Sequence, residues 1–211
     1  MNSDFKSYLL NNSEVVNVIE SSYAIKSIIS NLNISQVNVY EQDQFIDSYL
    51  STMVMNNVNF TNITFTQSVI KTILSTLIGS DIIIANISNP NNSTNSFISC
   101  STDSSIFIDG LDYLQSQASL MLLNNVTGIV DKLSIVSSDS ISSMIEIDDS
   151  YGLELISLLA NNTSSQTKSI IRIKDSISRN MENLTFSHIP HLAIEVSNSV
   201  ISKMSNTSIK S

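Results

Sequence analysis

The chain has 211 residues and a net charge of −9, with 14% charged against 42% hydrophobic residues. That balance excludes a nucleic-acid partner, which needs clustered Lys and Arg. The single cysteine, Cys100, excludes an internal disulfide framework and any multi-cysteine zinc site. Polarity comes instead from 42 Ser, 24 Asn and 13 Thr, a composition that leans towards β-structure rather than towards helices solubilised by Glu and Lys.

Residues 1–24 read as a first coil or a partial cap. Their opening, Met-Asn-Ser-Asp-Phe-Lys, lacks the layout of a secretory signal. No apolar run in the chain reaches the roughly 18 residues of a spanning helix, so no membrane insertion is expected. From residue 25 to 211 one pattern recurs, apolar-x-apolar-x-Asn-apolar-x-apolar. Its first copy surrounds Asn31 with Ile29, Leu32 and Ile34. A near-complete copy follows at Asn57, with Met53 and Met55 before it and Val58 and Phe60 after it.

Residues 69–78 interrupt with Val69, Ile70, Ile73, Leu74, Leu77 and Ile78 at helical spacing, although a strand and turn are expected there. The pattern returns at Asn86 (Ile82, Ile84, Ile87) and at Gly110 (Ile106, Ile108, Leu111, Tyr113). Partial copies centre on Ser138, Asn162, Asn183 and Asn206. Residues 153–161 also fit the core of a leucine-rich repeat, but that spacing fails at Asn57 and Asn86.

The eight anchors span 175 residues in seven intervals, a mean of 25. Alternating apolar positions turn one side of a strand inward. One extra residue between two such runs forces a corner, and Asn and Gly tolerate the left-handed backbone a corner uses. The expectation is an all-β parallel solenoid of about eight coils, with Asn31, Asn57, Asn86, Asn162, Asn183 and Asn206 in one amide ladder. Gly110 and Ser138 would interrupt it.

Segments 53–60 (MVMNNVNF), 82–87 (IIIANI) and 106–113 (IFIDGLDY) resemble right-handed parallel β-helix repeats of the pectin-lyase-like fold. The Asn/Ser/Ile-rich style, with NVNFTNITF at 57–65, is similar to large surface proteins of ciliates and other protists. The resemblance implies right-handed coiling and a fold shared by lyases, hydrolases, adhesins and inert spacers. The repeats are expected to belong to a longer array; a complete chain would self-associate end to end through open strand edges.

Residues 89–96 (NPNNSTNS) and 161–169 (NNTSSQTKS) read as loops. Twelve glycosylation sequons occur, at Asn11, Asn33, Asn59, Asn62, Asn86, Asn91, Asn92, Asn125, Asn161, Asn162, Asn183 and Asn206. Their excess points to an extracellular or cell-surface setting.

Enzyme-like fragments are few. Asp148 and Asp149, followed by Arg172 and Lys174, match two motifs of polygalacturonase-type glycosidases superficially, as paired acids and a uronate-binding pair. That family's Asn-Thr-Asp and Gly-His-Gly motifs do not occur. Asp103, Asp109 and Asp112 offer oxygen ligands for calcium, the one cofactor the sequence leaves open. His188 and His191 supply too few ligands for a metal site and read as a polar turn around Pro190. A mineral- or ice-binding face would need regularly spaced Thr, which the scattered Thr do not suggest. The leading expectation is a non-catalytic structural or adhesive segment that contacts carbohydrate or a surface protein. The alternative is a polysaccharide lyase or glycoside hydrolase.

Overall fold

A computed structural model describes residues 2–6, 9–14, 19–23, 25–39, 45–90, 95–166 and 169–210. Among them there is no helix, and every strand pairing is parallel. The chain is a parallel β-solenoid of about 7 turns of ~25 residues. Eight corner residues from Asn31 to Asn206 bound these seven turns, in keeping with the expected solenoid of coils of about 25 residues.

One turn shows how the sequence builds the coil. Ile46–Tyr49 forms face 1 and ends at corner A, Leu50. The strand Thr52–Phe65 then forms face 2 up to corner B at Asn57, and face 3 up to corner C at Asn62. All three corner residues have φ between 49° and 54°, the left-handed region. Between corners the burial alternates, Val54 alone excepted, because each strand places every second side chain inside. A loop then leads to Ile70–Ile73, which lies on Ile46–Tyr49 in register.

The apolar segment with helical spacing is therefore strand, corner and strand. Ile70–Ile73 ends at Leu74 (φ 52°), and Thr76–Ala85 begins the next face 2. The segment with leucine-rich-repeat spacing lies in the strand Tyr151–Asn161. Asn2–Lys6, Leu9–Glu14 and Ile19–Ser22 pair with the coil above them, so these three strands share the same ladder.

Stacking puts identical inward positions on top of one another. Ile46, Ile70, Ile98, Met121, Ile145 and Ile171 form one fully buried column on face 1. Each such side chain contributes about 1.5–3 kcal/mol on leaving water. Phe45, Phe60, Phe97 and Phe65 fill the wider part of the core edge to face, with centroids 6.2, 5.2 and 5.9 Å apart along that series. Cys100 is a buried core residue, and burial pushes its thiol up to about 12.

One arm of the turn keeps a constant length. Corners B and C stand five residues apart in every turn: Asn31 and Gln36, Asn57 and Asn62, Asp81 and Asn86, Gly110 and Gln115, Lys132 and Ser137, Ser157 and Asn162, Asn183 and His188. The segment from corner C to the next corner A absorbs most of the variation. Corners A and B stand seven residues apart at Leu50–Asn57, Leu74–Asp81 and Asn125–Lys132 but eight apart at Asp149–Ser157, Asp175–Asn183 and Asn198–Asn206, and the ladder register shifts beside Gly152 (φ 80°), where the longer arm begins.

Candidate functional site

The corners are the first candidate, and they form three columns rather than one. Register places Asn31, Asn57, Asp81, Gly110, Lys132, Ser157, Asn183 and Asn206 at corner B. Asn86 and Asn162 stand at corner C, and Ser138 follows corner C at a buried position, so the single expected ladder is divided. All corners impose the same backbone demand, and Asn suits each of them. Within corner B, Asn57 Nδ2 donates to Asn31 Oδ1 at 2.8 Å and Asn206 Nδ2 to Asn183 Oδ1 at 3.0 Å.

A buried serine column behind corner A was not anticipated. Ser51 N donates to Ser75 Oγ, Ser75 N to Ser104 Oγ, Ser150 N to Ser176 Oγ, and Ser176 N to Ser199 Oγ. Ser150 Oγ donates in turn to the carbonyl of Asp148, two residues back, and Ser75 Oγ likewise to Ile73. Each hydroxyl thus satisfies a buried amide of the neighbouring coil and a carbonyl of its own. Val126 stands in this column and donates its N–H to Ser150 Oγ. The recurrence of Ser one residue after corner A, at Ser51, Ser75, Ser104, Ser150, Ser176 and Ser199, was the signal for it.

The enzyme-like residues do become neighbours, through stacking of Ile145–Asp148, Ile171–Lys174 and Ile194–Ser197. Arg172 bonds Glu146 and reaches Glu195 Oε1 at 4.0 Å. Lys174 Nζ lies 3.7 Å from Asp148 Oδ1 and 3.1 Å from Asp175 Oδ2. Asp175 is held below the usual carboxylate range by hydrogen bonds from Asn198 and Lys174, and the Asp175 contact raises Lys174 in turn. Asp149 sits apart, at corner A, where it accepts from Tyr151 Oη at 3.3 Å. Acids and bases here neutralise one another across coils on an outer strand face.

The calcium candidates do not converge. Asp103 is at corner A, accepting from Asn125 Nδ2 at 2.9 Å. Asp109 and Asp112 flank corner B, and Lys132 Nζ occupies Asp109 at 2.6 Å, which raises the lysine. Among the described residues no three His, Cys, Asp or Glu side chains group as metal ligands. His188 is at corner C with Nδ1 3.2 Å from Asn161 Oδ1.

Two shallow polar grooves run beside corner C. One, of about 400 Å³, is lined by Ser88, Asn89, Pro90, Gln117, Asp139, Ser140, Ile141 and Gln166. The other, of about 410 Å³, shares Gln117 and Asp139 and adds Asn162 and His188. Neither is lined by Asp148, Asp149, Arg172 or Lys174. Of the sequons, Asn62, Asn86, Asn162 and Asn206 are exposed corner residues, whereas Asn59 and Asn161 are half-buried on face 3. Asn125 is half-buried, and Asn91 and Asn92 lie outside the described residues.

Face 2 carries the most distinctive outer surface. Its middle outward column is apolar over five coils: Ile28, Val54, Ile78, Phe107 and Ile129, closed by Glu154. Ile78, Phe107 and Ile129 are exposed. Beside it stands a hydroxyl column of Thr52, Thr76, Ser105 and Thr127, with Ser105 Oγ and Thr127 Oγ1 3.2 Å apart. The scattered Thr of the sequence thus include three that stack. The signal for the apolar column was the filled-in alternation at Met53-Val54-Met55 and Ile106-Phe107-Ile108, where the middle residue faces out. No protein-family model matches the chain, and no curated protein matches it significantly.

Proposed function

We propose that the chain is a non-catalytic structural or adhesive segment of a secreted or cell-surface protein, a right-handed β-helix of the pectin-lyase-like kind. The coils serve as a rigid spacer, and face 2 is the surface that makes contact. The observation carrying this reading is the apolar column Ile28–Val54–Ile78–Phe107–Ile129 beside the hydroxyl column. The strip is exposed at the contiguous Ile78, Phe107 and Ile129, half-buried at Ile28 and covered at Val54; contiguous exposed apolar residues mark a contact surface, whereas solitary ones are ordinary. Carbohydrate ring faces and surface proteins both offer the matching mixture of apolar and hydroxyl groups.

The alternative, a polysaccharide lyase or glycoside hydrolase, draws on the proximity of Asp148, Arg172 and Lys174. Their mutual pairing weighs against it, because an acid engaged by a lysine or arginine is a poor proton carrier. The test is incubation with polygalacturonate and other acidic polysaccharides, with and without calcium, following new reducing ends and unsaturated uronides. No turnover is expected. Turnover abolished by Asp148→Asn or Asp149→Asn would overturn the scaffold reading. For the contact face, Phe107→Ser is expected to reduce adsorption to octyl-coated beads at least several-fold while the β-rich circular dichroism persists; unchanged adsorption removes face 2 from the proposal.

A further inference from the structure

Face 2 sets its apolar strip beside charge of one sign. Ile78, Phe107 and Ile129 are 37%, 43% and 36% exposed and stand in successive layers. Two residues further along each strand, outward again, stand Ser80, Asp109 and Asp131, which stack in the same order. Asp81 follows at the exposed corner B of the first of these layers, and Asp103 marks corner A of the second. Segments 76–81, 103–110 and 125–132 thus hold four aspartates, with Lys132 their one cation. Lys132 Nζ lies 2.6 Å from Asp109 Oδ1 with both side chains more than half exposed, so water screens that pair and a stronger partner can replace it. In the next layer Glu154 stacks on Ile129 and adds a further acid.

We infer that face 2 docks a basic amphipathic helix of a partner protein, its apolar stripe on Ile78, Phe107 and Ile129 and its Lys or Arg residues against Asp109, Asp131 and Glu154. The inference rests on face 2 being the contact surface proposed above, and it adds what covers that surface. Charge selects the partner. Acidic glycans, nucleic acid and anionic lipid all meet the aspartate row with like charge. A second copy of this chain carries the same net charge of −9 and is repelled as well. Spacing selects the helix. The apolar row climbs about 4.8 Å per layer, the distance between neighbouring strands. A helix laid along the row returns a side chain to the same side every turn, about 5.4 Å, and stays in step over the two intervals from Ile78 to Ile129 to about 1 Å. An extended strand repeats every second residue, about 6.8 Å, and falls out of step by about 4 Å over the same distance. The row Thr76, Ser105 and Thr127 on the other side of the strip holds no charge, so it meets the helix's second flank with hydroxyls alone.

The probe is a synthetic helix of about 18 Leu and Lys residues with all Leu on one side. It is titrated by fluorescence anisotropy into the untagged 211-residue chain. Binding is expected, and added salt should weaken it. A scrambled peptide of the same composition and a Leu/Glu helix should each bind at least about tenfold more weakly. Phe107→Ser and Asp131→Lys should each lower the affinity about tenfold. Asp139→Lys makes the same change of net charge beside corner C and should leave the affinity within about twofold. Unchanged β-rich circular dichroism checks the fold of each variant, and the peptide comparison on the unaltered chain decides even where a variant does not fold. Equal binding of the scrambled or Leu/Glu peptide would overturn the inference, as would equal losses in Asp131→Lys and Asp139→Lys. So would a chain that ignores the Leu/Lys helix yet binds chitosan oligosaccharides, a cationic glycan, at the same salt. If Phe107→Ser lowers adsorption to octyl-coated beads while the Leu/Lys helix is not bound, face 2 stands as a contact surface and this partner alone is refuted. Unchanged bead adsorption refutes both.

Discussion

Replacing Ser150 by Ala isolates one link of the serine column. Ser150 is buried, its Oγ accepts the N–H of Val126 at 3.0 Å, and it donates to the carbonyl of Asp148 at 2.9 Å. Alanine fits the same space, so no cavity or clash confuses the result. What is lost is the acceptor for the amide of Val126, a residue with no exposed surface. An unsatisfied buried donor costs about 1–3 kcal/mol. A loss of about 2 kcal/mol lowers Tm by about 4–8 °C in a chain of this size. Coils touch only their neighbours, so the damage should be local. Hydrogen exchange should show the Val126 amide opening about 30-fold faster, the rate equivalent of about 2 kcal/mol. Ser199→Ala is the control. Ser199 Oγ accepts from Ser176 N at 2.9 Å at a half-exposed site, where water replaces it, and the cost should stay under about 1 kcal/mol. If Ser150→Ala stays within about 0.5 kcal/mol of the parent and Val126 remains protected, the column is not what holds corner A.

Three further substitutions probe other parts of the coil. Gly128 has φ 133°, and a Cβ there would lie 1.8 Å from the carbonyl oxygen of Ile106. Gly128→Ala is therefore expected to cost more than about 4 kcal/mol in urea unfolding, or to prevent soluble expression. At corner B, Asn57→Ala should cost about 1–2 kcal/mol for the left-handed backbone and the lost bond to Asn31, whereas Asn57→Gly should keep most of that stability in thermal melts. Cys100 gives a pH test. Burial pushes its thiol from about 9 up to about 12, so the folded chain keeps a proton that the unfolded chain releases. Stability should therefore fall as pH rises from about 9 towards 12, with no contribution from this group below that window. The urea midpoint should lose part of its alkaline slope in Cys100→Ala; Tyr113, also raised by burial, supplies the same sign and remains in both proteins.

The coil was legible because parallel stacking converts alternation into columns, and alternation is printed in the sequence at 53–60 and 106–113. Which corner a given Asn occupies was not legible. Asn57, Asn62 and Asn125 lie at corners B, C and A with nearly the same φ, so the residue marks a bend without saying which one. Asp81, Lys132 and Ser157 fill corner B with no Asn or Gly at all. Their left-handed strain, about 1–2 kcal/mol each, is outweighed by the strands stacked on either side. The pairs Asp148–Lys174 and Arg172–Glu146 show the same limit, since residues about 25 apart become neighbours only once the length of the intervening turn is known.

The unvarying five-residue arm between corners B and C has a consequence for how such a molecule can change. Extra residues placed there would break the stacking of every coil beyond them, but extra residues between corner C and the next corner A hang off one side. That side is a row of attachment points about one strand spacing, roughly 4.8 Å, apart. Foreign peptides grafted into it would be displayed as a dense, parallel series while the rod underneath keeps its pitch.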